Sequence, residues 1–167
     1  MIFEEHKAVH VHIVKTAGTS IRHALGYTKD DLPEQHYDVW KYLKELRKKG
    51  QDPNDYFKFT FVRNPYDRCL SLYLFWRDFD VKPKNYTGTF EEFLREASFL
   101  PHTRNQLDMI AEPVWKWDQK AFQYVEKPKD VNLLVDFVGR FENLYKDMNT
   151  VFDRIGVGKK DIPHLLH

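Results

Sequence analysis

The chain alternates between short segments with the pattern of a β-strand and longer segments with the pattern of a helix. In residues 8–14, AVHVHIV, apolar and polar side chains follow one another with the period of two that is typical of a strand. Residues 56–62 and 132–141 are rich in β-branched and aromatic side chains and predict two further strands. Helices are predicted at residues 20–26, 37–49, 65–79, 89–97 and 142–156, and an irregular segment with three prolines at residues 98–128.

Side chains with capping chemistry stand at the start of three of these helices. Either Thr19 or Ser20 is expected to cap the first helix. Asn64 is expected to cap a later one, because the proline that follows it suits the first position of a helix. Thr89 and Glu92 have the spacing of a capping box, in which each side chain accepts a hydrogen bond from the backbone of the other. These positions fix where the predicted helices begin.

The order of the elements predicts the fold class. Strands that alternate with helices favour an α/β fold, here a three-layer sandwich with a central, mostly parallel sheet. The length of 167 residues suits a single domain over residues 1–167 and is sufficient for a sizeable core. In such folds ligands bind beyond the carboxyl ends of the strands. The segments that follow residues 14 and 62 are therefore the first places to look for a site.

Composition and charge narrow the classes of partner. The formal net charge is +1 with 42% hydrophobic residues, so the overall balance gives no reason to expect nucleic acid or a membrane surface as partner. Cys69 is the single cysteine, which excludes an internal disulfide and fits a reducing compartment. No apolar run has the length of a signal peptide or of a membrane span. We expect a soluble, cytoplasmic protein.

The segment IVKTAGTS, residues 13–20, joins the first predicted strand to a helix and is suited to an anion. Such a turn directs several backbone N–H groups at one point, Gly18 allows close approach, and Lys15 adds a positive charge. Hydroxyl donors are carried by Thr16, Thr19 and Ser20. The nucleotide-triphosphatase P-loop does not match, because the lysine precedes the glycine and the first glycine of that motif is missing. Short patterns of this kind are common, so the segment taken alone favours a plain connection with a surface lysine.

A second turn of the same kind follows residues 56–62, in the segment FTFVRNPYDRCLSLY at residues 59–73. Arg63 leaves the end of the strand, and Arg68 and Ser71 lie on one face of the next helix. Arg63 and Ser71 are placed to converge on an anion near the start of that helix. A capped helix with surface arginines is the alternative interpretation. The pair of turns is more informative, since together they indicate a ligand with two separated anionic groups and a nucleoside between them.

The two segments together resemble the sulfotransferases that use 3′-phosphoadenosine-5′-phosphosulfate (PAPS) as donor. HIVKTAGTS resembles the 5′-phosphosulfate loop of the branch with chondroitin and heparan 2-O sulfotransferases, H-I-P-K-T-A-G-T-S. FTFVRNPYDRCLSLY resembles the 3′-phosphate motif, F-V-R-[ND]-P-x-x-R-x-x-S-x-Y, and RNQLDMI and VDFVGRFENLYKD resemble later blocks. Val14 replaces the usual proline, and the chain ends at His167, where many relatives continue. The resemblance implies a P-loop-like sulfotransferase fold.

The resemblance also implies an activity and roles for particular residues. A sulfuryl group would pass from PAPS to a hydroxyl of a carbohydrate or another small acceptor, with release of 3′,5′-ADP and without a metal. Lys15 would stabilise the developing charge. His102 would face the acceptor as the base, although a solvent-exposed loop histidine explains its sequence context equally well, and His12 is expected to be a strand histidine. The implied nucleotide-binding residues are Lys15, Thr16, Ala17, Gly18, Thr19 and Ser20 for the 5′-phosphate and Arg63 and Ser71 for the 3′-phosphate.

Two other functions are compatible with the sequence. A nucleotide phosphotransferase of the P-loop type would also need a lysine and a helix start, but the order of lysine and glycine argues against it. A relative that binds the nucleotide without turnover is the second alternative, because the chain ends early and its base is not identified by the motifs. Binding of 3′,5′-ADP separates the first alternative from a sulfotransferase, and only turnover separates the second.

Overall fold

The computed structural model describes residues 1–32, 36–78, 86–96, 105–112, 115–118, 123–126 and 131–163. The strands are β1 (Ile2–Phe3), β2 (Ala8–Val11), β3 (Phe57–Val62), β4 (Trp115–Asp118), β5 (Gln123–Glu126) and β6 (Phe137–Arg140). The helices are α1 (Gly18–Ala24), α2 (Val39–Lys48), α3 (Pro65–Asp78), α4 (Phe90–Glu96) and α5 (Leu144–Arg154). A short 3₁₀ helix, Phe141–Asn143, joins β6 to α5.

The central sheet has the strand order β1-β2-β3-β6, and β2, β3 and β6 are parallel to one another. The short strand β1 pairs antiparallel with β2 at the edge. The three parallel strands end on the same side of the sheet, where each is followed by a turn and a helix: α1, α3 or α5. This arrangement confirms the predicted mostly parallel sheet and brings three strand-to-helix junctions to one edge.

Alternate side chains of the sheet supply two separate hydrophobic cores. On one face, apolar side chains of α1 and α5 pack with Phe59 and Phe61 of β3. On the other face, apolar side chains of α2 pack with Val9 and Val11 of β2. All four are buried, and full burial of a side chain of this size stabilises the fold by about 1.5–3 kcal/mol. Helices therefore cover both faces of the sheet, as a three-layer α/β fold requires.

Two of the three predicted helix starts are confirmed by their hydrogen bonds. Asn64 caps α3, since its Oδ1 accepts from the backbone N–H of Tyr66 at 2.9 Å. Thr89 and Glu92 form the capping box of α4: the Thr89 N–H donates to Glu92 Oε2 at 2.7 Å and the Glu92 N–H donates to Thr89 Oγ1 at 3.3 Å. Both signals are local in sequence, which is why the sequence alone was sufficient to find them.

Other predictions of local structure were wrong. Neither Thr19 nor Ser20 caps α1, because that helix already begins at Gly18 and its N-cap position is Ala17, whose side chain accepts no hydrogen bond. The first predicted strand ends early, at Val11. The strand predicted at residues 132–141 is confined to Phe137–Arg140. Within the segment predicted to be irregular, β4 and β5 form an antiparallel pair.

The longest helix of the described residues is α3, with 14 residues. None of the helices in the described part of the chain combines the length and the apolar character needed to cross a membrane.

Candidate functional site

A cleft of about 1440 Å³ opens at the edge of the sheet where the parallel strands end. Its walls come from the turns that follow β2 and β3, from the inner face of α3, and from the start of α5. Of the predicted site residues, the cleft is lined by Lys15, Ala17, Gly18, Thr19, Ser20, Arg63 and Ser71. The structure thus brings the two segments singled out in the sequence, IVKTAGTS and FTFVRNPYDRCLSLY, into one cavity.

The loop after β2 has an unusual backbone. Lys15 and Ala17 have positive φ angles of 65° and 67°, and Thr16 between them does not. Left-handed residues that alternate with right-handed ones turn successive N–H groups toward the same side, and such a concave backbone is suited to an anion. Because these conformations cost of order 1–3 kcal/mol each in non-glycine residues, the surrounding contacts must hold the loop in place.

Thr16 is one of the contacts that hold this loop. Its side chain is fully buried, and its Oγ1 donates to the carbonyl oxygen of Ile13 at 2.7 Å. Thr16 is therefore not part of the cleft wall, in contrast to its neighbours Lys15 and Ala17. Its side chain stabilises the turn from within, and its contribution to a ligand is limited to the backbone.

Gly18 is required at its position because of a close approach to His12. A Cβ atom on Gly18 would lie 2.0 Å from His12 Nε2 and 2.2 Å from its Cδ2. The His12 ring is itself buried, with 4% of the residue exposed, and lies 4.7 Å from the His36 ring, measured between centroids. The ring consequently has little room to move aside.

Replacement of Gly18 by alanine should therefore destabilise the fold. We expect the free energy of unfolding to fall by about 1–3 kcal/mol, the usual cost of overpacking a well-packed site. Denaturant unfolding of the purified protein measures this change. Gly158→Ala is the matched control, since a Cβ there meets no atom within 4 Å. Equal stability of the two variants would contradict the steric role of His12.

Lys15 points into the cleft and contacts an aromatic ring. Its Nζ lies 4.3 Å from the centroid of the Phe75 ring, which belongs to α3. An ammonium group over an aromatic face is attracted by the electrons of the ring. Phe75 also lines the cleft, as does Ser71 one turn earlier on the same helix.

Arg63 is held by contacts from three directions. Its backbone N–H donates to Gln106 Oε1 at 2.9 Å, and Gln106 Nε2 donates to the Arg63 carbonyl at 2.8 Å. Its guanidinium carbon lies 4.1 Å from the centroid of the Phe141 ring. Its Nη1 donates to the carbonyl oxygen of Lys15 at 3.3 Å, which joins the two loops directly. Partial burial lowers the pKa of Arg63, but a guanidinium remains charged at neutral pH.

The second arginine of the same motif has a different place. Arg68 is 8% exposed, and burial is the main cause that lowers its pKa. It does not line the cleft, whereas Ser71, three residues later, does. The shared helix face expected for Arg68 and Ser71 thus places only the serine at the cavity.

The short 3₁₀ helix before α5 contributes Glu142 to the cleft, a residue that the sequence indicated only as lying near a helix start. Glu142 Oε1 accepts from the backbone N–H of Asn64 at 2.7 Å, and this hydrogen bond is the main cause that lowers the pKa of the carboxyl group. The contact ties the junction after β6 to the junction after β3. Glu142 lines the cleft together with Phe141.

Two histidines also line the cleft, and one of them, His36, is not marked by any motif of the sequence. His12 and His36 line the cavity, and His36 is partly exposed. Burial holds the pKa of His12, and of His10 behind it, well below the ordinary value, so both rings are neutral at pH 7. His36 stands alone in the segment LPEQHYDV, without a spacing that marks a site. His102, the predicted base, lies outside the described residues.

No metal site is evident where the structure describes the chain. Within those residues, no group of three or more histidine, cysteine, aspartate or glutamate side chains is arranged to hold a metal ion. The charged groups that line the cleft are mainly cationic: Lys15, Arg22, Lys29, Arg63 and Lys146 against Asp30 and Glu142. The cavity is therefore suited to an anionic ligand.

Comparison with known proteins agrees with this picture. A model of the Sulfotransferase family matches residues 1–165. An uncharacterized protein of Archaeoglobus fulgidus is 30% identical over 120 residues, which cover 71% of this chain and 82% of that protein. No solved structure matches the chain significantly.

Proposed function

The chain belongs to the Sulfotransferase family, and we propose that it transfers a sulfuryl group from PAPS to a hydroxyl of a carbohydrate or another small acceptor. The observation that supports this most directly is the hydrogen bond between Arg63 Nη1 and the Lys15 carbonyl. It places the two anion-binding segments side by side in one cleft, as a donor with separated 5′- and 3′-phosphates requires. The product released from the donor is 3′,5′-ADP.

In this proposal the loop after β2 binds the 5′ end of the donor. The backbone N–H groups of Gly18, Thr19 and Ser20 lie in the first turn of α1, and the N–H groups at the start of a helix suit the oxygens of a phosphate. The acceptor oxygen forms a bond to sulfur while the bond between sulfur and the bridging phosphate oxygen breaks. Negative charge develops on that leaving oxygen, and the Lys15 ammonium stabilises it.

The 3′-phosphate is assigned to Arg63 and Ser71. Both line the cleft, and the guanidinium is already oriented by the Phe141 ring and by its hydrogen bond to the Lys15 carbonyl. The side chain of Gln106 holds the Arg63 backbone. A charged, planar group with several N–H donors in a fixed orientation suits the oxygens of a phosphate. This pair distinguishes PAPS from a donor without the 3′-phosphate.

The acceptor hydroxyl gives up a proton, so the reaction needs a base. His102 remains the base proposed from the family resemblance. His36 is a second candidate, because it lines the same cleft as Lys15 and is partly exposed. His12 is a weaker one, since its buried ring packs against Gly18 and its pKa is held low by burial.

Calorimetry with three nucleotides tests the donor assignment. We expect 3′,5′-ADP to bind about 10- to 100-fold more tightly than 5′-AMP, because a hydrogen bond to a charged group contributes about 1.5–3 kcal/mol. ATP, which has no 3′-phosphate, should bind no better than 5′-AMP. Equal affinity for 3′,5′-ADP and 5′-AMP would remove the assignment of the cleft to PAPS.

A further inference from the structure

Each of the two cations in the proposed function, Lys15 and Arg63, contacts the face of an aromatic ring. Phe75 lies under the Lys15 ammonium and Phe141 under the Arg63 guanidinium, at 4.3 and 4.1 Å from the ring centroids. Neither phenylalanine has a role in the proposed transfer, and phenylalanine offers no hydrogen bond to a phosphate. The contact of Phe75 with Lys15 is the more informative one, because the position of Lys15 decides the charge stabilisation.

The ring of Phe75 is held more firmly than the side chain that it contacts. Phe75 lies in the last turn of α3, three residues after the buried Leu72, which packs with Phe93 of α4. The start of this helix is capped by Asn64. Lys15 lies in a loop with a positive φ and carries a flexible four-carbon side chain. Holding such a side chain in one place costs up to about 2 kcal/mol of rotamer entropy. A fixed ring offsets part of this cost before the donor arrives.

A ring also differs from a carboxylate as a partner for this lysine. A carboxylate would hold the ammonium but neutralise it, and would repel the incoming phosphosulfate. The face of a phenylalanine ring attracts the ammonium through its quadrupole and adds no negative charge to the cleft. Phe75 and Ser71 are four residues apart on α3, so the same helix face presents both to the cleft.

We propose that Phe75 is a positioning residue, whose ring holds the Lys15 ammonium at the place where it meets the sulfuryl end of the donor. This role rests on the proposed function. It predicts that the ring matters for the 5′-phosphosulfate end of the donor and not for the 3′ end. PAPS carries this end and adenosine 3′-monophosphate lacks it, so the two ligands separate positioning of Lys15 from general support of the cleft.

The test compares Phe75→Leu with Phe75→Tyr by calorimetry, using PAPS and adenosine 3′-monophosphate as ligands. We expect Phe75→Leu to weaken PAPS binding about 3- to 10-fold, in the range of a cation–π contact, and to leave binding of adenosine 3′-monophosphate unchanged. Phe75→Tyr keeps an aromatic face and should bind both ligands as the parent protein does. A series of fluorinated phenylalanines at position 75, which withdraw ring electrons at nearly constant shape, should weaken PAPS binding in steps.

A second readout follows Lys15 without any ligand. Labelling of amines with an acetylating reagent, mapped by mass spectrometry, should modify Lys15 about 3- to 10-fold faster in Phe75→Leu, because the ring no longer covers the Lys15 amine. Phe141→Leu, which removes the ring under Arg63, should leave the labelling of Lys15 unchanged.

The outcomes distinguish this role from the function on which it rests. Failure of the parent protein to bind either nucleotide would reject the proposed function, whereas the labelling rates would still report the contact of Phe75 with Lys15. If 3′,5′-ADP binds the parent protein and Phe75→Leu weakens PAPS and adenosine 3′-monophosphate equally, or neither of them, then Phe75 does not position Lys15. Unchanged labelling of Lys15 in Phe75→Leu would overturn the role as well.

Discussion

Replacement of Lys15 by methionine should lower the rate of sulfuryl transfer by about 10²- to 10³-fold, the usual effect of removing one preorganised group that stabilises developing charge. Methionine keeps most of the length of the side chain and its apolar contact with Phe75 but carries no charge. The expected loss lies in turnover, measured as release of 3′,5′-ADP from PAPS in the presence of a panel of sugars and phenols. Binding of 3′,5′-ADP should persist, because the backbone of the loop is unchanged.

Lys29→Met is the matched control for this variant. Lys29 also lines the cleft, but it is exposed and lies outside the loop after β2. The same chemical change at this position should alter the rate by no more than about 3-fold, as expected for a solvated charge. A Lys15→Met protein that turns over PAPS at the rate of Lys29→Met would remove Lys15 from the mechanism.

The parts of the fold that the sequence predicted are those with local causes. The starts of α3 and α4 follow from side chains within three residues of the backbone groups that they cap. The end of β2 and the start of α1 do not, because the positive φ angles of Lys15 and Ala17 depend on neighbours that the fold supplies. Two of these are the His12 ring against Gly18 and the hydrogen bond of Thr16 to the chain before it. No capping pattern in the sequence describes such a turn.

The length of the last strand was overestimated for a related reason. Leu134 and Val135 belong to an apolar run that favoured a strand, but they pack into the core beside α2 and do not pair with β3. Apolar residues indicate that a segment is buried but not that its backbone pairs with another strand. A strand predicted from them can therefore be longer than the part that pairs. The opposite error concerns β4 and β5, since the prolines that favoured irregular structure flank this pair of strands.

The sequence singled out candidate site residues only where one short segment carries several of them. Lys15, Gly18, Arg63 and Ser71 lie in two short motifs, and the structure brings them to one cleft. The residues that hold these groups come from elsewhere in the chain, as with Gln106, which is separated from Arg63 by 43 residues. Each of these residues stands alone in the sequence, so no motif or spacing identifies it as part of the site. Supporting contacts of this kind are properties of the fold and become visible only with coordinates.

Replacement of Arg63 by alanine should weaken binding of 3′,5′-ADP by about 10- to 100-fold, since a hydrogen bond to a charged group contributes about 1.5–3 kcal/mol. Binding of 5′-AMP should change by only a few-fold, because that nucleotide lacks the group that Arg63 is proposed to contact. Calorimetry with both nucleotides gives the coupling between Arg63 and the 3′-phosphate as a double difference. Arg77→Ala makes the same change at an exposed position of α3 and should affect neither ligand.

The hydrogen bond from Arg63 to the Lys15 carbonyl gives this experiment a second meaning. If Arg63 acts mainly by supporting the loop after β2, its loss should weaken 5′-AMP and 3′,5′-ADP to the same extent, and the coupling should be close to zero. Arg63→Lys sharpens the comparison, because it keeps a positive charge for the phosphate but loses the planar group that contacts Phe141 and Lys15. If Arg63 binds the 3′-phosphate through its positive charge, Arg63→Lys should recover part of the 3′,5′-ADP binding that Arg63→Ala loses. If Arg63 only supports the loop after β2, Arg63→Lys should recover no binding. Other residues of the cleft would then distinguish nucleotides with and without the 3′-phosphate.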